Sequence, residues 1–123
     1  MNFPDLRTLR LTHFGRRSGK RFEVKIWYAI VDGEVWIGSL DVDRSWVRNL
    51  TATGRGEIDL GYGSIACACQ RISDEASLAR YRQAVRKKYP LLSRVIALAV
   101  RNKQAGAFRL SINAQDLPQS PAR

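Results

Sequence analysis

Two turn signals separate three alternating apolar runs near the start of the chain, and they point to an antiparallel meander. Residues 7–14 set Leu9 and Leu11 against Arg10 and Thr12, the period of a half-buried strand. Gly15-Arg16-Arg17-Ser18-Gly19 follows as a tight turn, bracketed by residues that can take backbone angles denied to others. Residues 22–31 form a second strand, with Phe22, Val24, Ile26 and Tyr28 on one face and Glu23, Lys25 and Trp27 on the other. Asp32-Gly33 is a strong hairpin signal, and Val35-Trp36-Ile37-Gly38-Ser39 makes the third strand. Strands joined this way pair antiparallel and contain no βαβ unit. The expected fold class is mainly β with helices, a meander that closes into a barrel.

The rest of the chain extends this plan. Residues 40–44 form a polar loop, and Ser45 is placed to cap a short helix, Trp46 to Thr51, near 45–52. Gly54 and Gly56 bracket the next turn, and 57–62 and 64–72 read as two more strands with a bend at Gly61 and Gly63. Ser73 or Asp74 caps a helix that carries Glu75 in its first turn, where the helix dipole favours an acid. Leu78, Tyr81, Val85 and Tyr89 share one face of it. Pro90 ends or kinks that helix and suits the start of another, so a helical segment is expected over 74–102. Residues 107–112 alternate as a last strand, and 114–123 read as a loose tail, leaving one domain over 1–113.

Charge narrows the function. The formal net charge is +10 over 123 residues, which predicts polyanionic company: nucleic acid, anionic lipid, or a ligand with several phosphates or carboxylates. The charge lies over 16–25 and 80–103 rather than in a tail, as on surfaces of a folded domain. No nucleic-acid recognition motif is visible, although a basic module that stacks bases on aromatics is an alternative. A weak association with an anionic membrane surface is compatible with the same charge. Met-Asn-Phe-Pro-Asp-Leu-Arg lacks the apolar core of a signal peptide, so a cytoplasmic protein is expected. Cys67 and Cys69 read as small buried thiols, and with His13 as the one further soft ligand no metal site is expected. His13 itself reads as structural or surface, and Ser39 has no Ser-His-Asp context.

The basic turn is the candidate site. Amides in such a turn make an anion-binding concavity, and Ser18, Arg16, Arg17 and Lys20 can converge on the same anion. Trp27 and Tyr28 offer flat surfaces for a ring system, although on one strand they face opposite ways. The bland alternative is a solvated basic hairpin.

The order of strand, Gly-Arg-Arg-Ser-Gly-Lys, strand with Trp-Tyr, Asp-Gly hairpin, Gly-Ser strand end and Trp-Val-Arg-Asn-Leu resembles the deazaflavin-dependent nitroreductase family, in the flavin- and deazaflavin-binding split β-barrel group. Positions 12–20, 27–28 and 46–50 carry the resemblance, which spans about residues 9–113. It implies a split β-barrel, usually a homodimer, with a deazaflavin whose phosphate and acidic glutamyl tail lie along a basic groove. It implies hydride transfer to a small organic acceptor such as a quinone, an enone or a nitroaromatic. Carried over by residue, Arg16, Arg17, Ser18, Gly19 and Lys20 would hold phosphate and tail. Trp27 and Tyr28 would lie near the ring, with Gly38 and Ser39 approaching it and Trp46 and Asn49 closing the site. Ser39 and Tyr89 would make polar contact with the acceptor. Arg21-Phe22 stands where the family commonly has Pro-Arg, and Lys25 where it has a later proline. Leu92 and about Val95 replace pocket tyrosines, which favours flat apolar quinones or enones over nitro compounds. Flavin mononucleotide (FMN) as the cofactor, or a non-catalytic split-barrel protein, are the alternatives within the group.

Overall fold

The Asp32-Gly33 hairpin forms with both residues at positive φ, 51° and 76°, and pairs Val31 with Glu34. Both angles suit the two-residue turns that match strand twist. In the computed structural model, residues 7–39, 44–61, 63–91 and 106–112 are described. In order they form β1 (Leu9–Phe14), β2 (Arg21–Ile26), β3 (Tyr28–Val31), β4 (Glu34–Ser39), α1 (Ser45–Thr53), β5 (Arg55–Asp59), β6 (Ser64–Ile72), α2 (Glu75–Lys88) and β7 (Gly106–Ile112). The strands make one seven-stranded sheet in the order β2-β1-β5-β6-β7-β4-β3, antiparallel throughout.

The expected strand over 22–31 is two strands. It breaks at Trp27, and its halves, β2 and β3, lie at opposite ends of the sheet order. Ile26 and Tyr28 are two residues apart, so their Cα atoms lie within about 7.6 Å. The two edges of the sheet therefore meet at this corner, and the sheet curls into a half-barrel. The alternation of Ile26 and Tyr28 runs through the corner unchanged, which hides the break from periodicity.

The inside of the curl holds the main core. Leu9, Leu11, Val35, Ile37, Ile58 and Phe108 are buried there, and α1 lays Trp46, Val47 and Leu50 against them. A second apolar layer lies on the outer face. Val31, Trp36, Ile72 and Ala107 are covered by Leu78, Tyr81 and Ala84 of α2. Gly38 lets α2 sit close, since a Cβ there would stand 2.6 Å from the Tyr81 hydroxyl. Burial raises the pKa of that hydroxyl and keeps it protonated.

The two helices start differently. Asp74 caps α2 as expected, its carboxylate accepting from the Ser77 amide at 2.9 Å, which holds its pKa below the ordinary value. Ser45 does not cap α1. It is the first helical residue, and the cap position falls to Arg44, which offers no side-chain acceptor. The first turn of α1 contains no acid either, so among the described residues no side chain at this helix start offsets its amide dipoles. Cys67 and Cys69 are buried free thiols with sulfurs 3.9 Å apart. Their mutual hydrogen bond and burial push the Cys69 pKa up, so it stays a thiol. The expected helix beyond Leu91, the domain end at 113 and the tail over 114–123 lie outside the described residues.

Candidate functional site

The basic turn is held by its own backbone. The Gly15 amide donates to the Lys20 carbonyl at 2.8 Å and the Gly19 amide to the Gly15 carbonyl at 2.9 Å. Gly19 takes φ 71°, which a side chain would strain. The Lys20 amide donates to the Ser18 hydroxyl oxygen at 3.1 Å, and the Arg16 amide donates to Asn49 Oδ1 at 3.1 Å. Among the described residues, the amides of Arg17 and Ser18 have no protein acceptor. Two adjacent exposed amides are thus left for an external anion.

Asn49 ties this turn to α1. Its Oδ1 also accepts from an Arg16 guanidinium nitrogen at 2.9 Å, and its Nδ2 donates to His13 Nδ1 at 2.9 Å. Asn49 is 3% exposed and His13 5%. The imidazole stacks on Phe22, its cross-strand partner, with centroids 5.5 Å apart. Desolvation lowers the pKa of His13 below the ordinary histidine value.

A cleft of about 320 Å³ opens between the turn and the start of α1. His13, Gly15, Arg16, Arg17, Ser18, Phe22, Ser45 and Asn49 line it. A second cleft of about 370 Å³ adjoins through Arg16 and Arg17 and adds Arg48, Thr51, Ala52 and Arg71. Arg21, Arg80, Arg82 and Arg109 are each paired with a carboxylate. Arg16, Arg17, Arg48 and Arg71 are not, among the described residues. Crowded like charges without counter-charges cost stability, and an anionic ligand would offset that cost.

The expected site residues fall into two groups. Arg16, Arg17, Ser18 and Asn49 line the first cleft, and Gly19 and Lys20 complete its turn. Trp27, Tyr28, Gly38, Ser39 and Tyr89 gather instead about the barrel corner. That corner lies at the far end of the β1–β2 hairpin, five residue steps or about 17 Å from the turn. There Trp27 packs on Tyr89, with centroids 6.1 Å apart, and Tyr28 lies under the Lys88 ammonium. The Tyr89 hydroxyl is 2.5 Å from the Arg7 carbonyl, to which it donates, and receives the Tyr28 amide at 3.5 Å. The open face of Gly38 is filled by Tyr81. Ser39 is half-buried at the end of β4. Trp46 belongs to the core between the groups, its ring 6.0 Å from that of Phe108. Leu92 and Val95 lie outside the described residues.

The clefts are also lined by Phe22, Ser45, Arg48 and Arg71, which no motif picked out, and by His13, expected to be structural or surface. For His13 a signal exists, because strand parity puts it on the inward face with Leu9 and Leu11. Arg48 and Arg71 carry none, since α1 and β6 bring them to the turn only in the folded chain.

A family model described as F420H2-dependent quinone reductase matches residues 1–101. Among solved structures, the conserved hypothetical protein Rv2991 from Mycobacterium tuberculosis aligns with TM-score 0.69 at 18% identity, covering 94% of this chain and 83% of that one. An F420-H2 dependent reductase, FDR-A, aligns at 0.68 and 18% identity over 90% of this chain and 99% of its own. The haem storage protein HutZ from Vibrio cholerae aligns at 0.66 and 12% identity over 87% and 82%. At these identities the structural likeness establishes the split-barrel fold alone. No curated protein matches the sequence with significance.

Proposed function

The chain belongs to the F420H2-dependent quinone reductase family, and from that premise we propose that its arginine-lined clefts hold the acidic end of the deazaflavin for reduction of a quinone or enone. The observation that carries this reading is the set of four arginines around two adjoining clefts that have no carboxylate partner among the described residues. The residues present fit such a cofactor. Phosphate and glutamyl carboxylates need donors and cations, and both clefts supply them, the first beside the Phe22 and His13 rings.

The Arg17 and Ser18 amides would hold the phosphate, with Arg17 making paired hydrogen bonds to it. Arg48 and Arg71 would take the carboxylates of the tail along the second cleft. Bound in reduced form, the deazaflavin supplies the hydride and carries the difficult chemistry. The protein's part is to bind, orient and exclude competing reactions. The stacked Phe22 and His13 rings give the first cleft a flat wall. Ser39 remains the proposed polar contact for the acceptor. Tyr89 is given the role of tying the end of α2 to the sheet, because its hydroxyl is engaged with backbone. A homodimer in the cytoplasm is part of the same proposal, with exposed Ile30 and Leu91 available to a second copy.

The test is steady-state turnover of reduced deazaflavin with a panel of quinones, enones and nitroaromatics. The expected result is oxidation of the cofactor by quinone or enone, with nitro compounds slower. Deazaflavin that binds yet is oxidised by no acceptor would leave the chain a binding protein.

A further inference from the structure

We propose that His13 is a ligand-orienting donor: Arg16 and Asn49 fix its imidazole with the proton on Nε2, and that N–H holds an acceptor oxygen of the bound cofactor. This rests on the deazaflavin reading and adds to it a residue and a protonation state.

The tautomer follows from the hydrogen-bond network. The Arg16 amide and guanidinium can only donate, and both reach the same Asn49 atom. That atom must be the amide oxygen. The Asn49 nitrogen then faces His13 Nδ1 with a hydrogen on it. Nδ1 must accept, so the proton of a neutral imidazole sits on Nε2. A second proton on Nδ1 would set N–H against N–H.

Nε2 is directed to use outside the protein. His13 lines the first cleft, and among the described residues no protein group bonds its Nε2. It is not sealed away either, because Trp36 Nε1 is the buried side-chain nitrogen without a partner. A donor placed on the inward face after Leu9 and Leu11 interrupts an apolar row that a leucine would continue. The ring is also immobilised, pinned by Asn49 on one edge and Phe22 on one face. An orienting donor needs that rigidity.

Desolvation by burial lowers the pKa of the ring and keeps it neutral, and the charged groups around it are cationic or already engaged. Arg16 and Arg17 share its cleft, and Arg44 and Arg48 lie at the start of α1. The nearby acid on β5, Glu57, is tied to Arg21 by two hydrogen bonds, and Glu23 of β2 pairs with Thr12, the neighbouring position.

His13 is the single histidine of the chain, so the nitrogen NMR spectrum of histidine-labelled protein reads it without ambiguity. The free protein should show the neutral Nε2–H form at neutral pH. In Asn49→Asp the carboxylate should draw a proton onto Nδ1 and raise the pKa. Oxidised deazaflavin added to the parent should shift the Nε2 proton resonance. His13→Phe should weaken deazaflavin binding about tenfold, the worth of one good hydrogen bond. His13→Gln, which offers an amide N–H, should recover most of that loss. An Nδ1–H or doubly protonated ring in the free parent overturns the proposal. So does unchanged affinity in His13→Phe while deazaflavin still binds. If deazaflavin binds to none of the proteins, the cofactor reading itself falls, and the free-protein spectrum still decides the tautomer.

Discussion

Replacing Arg17 and Arg48 together with alanine should weaken deazaflavin binding by about tenfold to a hundredfold while leaving the fold intact. A charge-assisted hydrogen bond contributes about 1.5–3 kcal/mol where desolvated. Both side chains are exposed, so about 1 kcal/mol each is the better scale after solvent screening. At about 1.4 kcal/mol per tenfold, the pair reaches the stated range. The loss should be larger for cofactor with a long glutamyl tail than for a truncated form, and larger at low salt. Neither arginine makes an ion pair among the described residues, and the clefts crowd like charges. Unfolding midpoints should therefore hold or rise. Fluorescence titration across tail lengths, with thermal melts alongside, checks both halves. Equal affinity for every tail length would place the acidic end elsewhere.

Asn49→Ala should destabilise the protein by about 2–4 kcal/mol, a large effect for one side chain. Asn49 is nearly fully buried and serves three hydrogen bonds at once. Alanine leaves the buried His13 Nδ1 unsatisfied, at about 1–3 kcal/mol, and takes the acceptor from the part-buried Arg16 amide and its guanidinium as well. It also frees the turn from α1. Because the folded pKa of His13 is depressed from 6.5, the unfolded chain takes up that proton first. The contribution of this histidine is complete above about 6.5 and is lost as the pH falls below it. Urea unfolding of parent and variant at neutral and acid pH measures both effects. A change under about 0.5 kcal/mol at neutral pH would remove Asn49 from the centre of the site.

Much of this fold is written locally. Asp32-Gly33 dictates its hairpin, Asp74 its helix start, and the alternation through Val35 and Ile37 its strand. The Gly15 to Lys20 turn announces itself by glycines and charge. What stayed hidden depends on partners. The break at Trp27 keeps the parity of Ile26 and Tyr28, so only the sheet order reveals that the two halves lie on opposite edges. The outer layer under α2 gave Gly38 a packing partner that no local pattern names. His13 was legible by parity with Leu9 and Leu11, yet its use depends on Asn49, placed by α1. Arg48 and Arg71 join the turn through tertiary structure alone.

The proposed role of the arginine-lined clefts is to hold a deazaflavin by its acidic end. The most direct measurement is the dissociation constant of the unmodified protein for long-tailed deazaflavin and for FMN, determined in parallel by calorimetry over a range of salt. Deazaflavin should bind at least about tenfold more tightly, since each arginine engaged beyond the phosphate adds affinity that FMN cannot collect. That advantage should shrink as salt rises, because exposed guanidinium–carboxylate contacts are screened. Equal affinity for the two, or tighter binding of FMN, would rule out that role for the clefts.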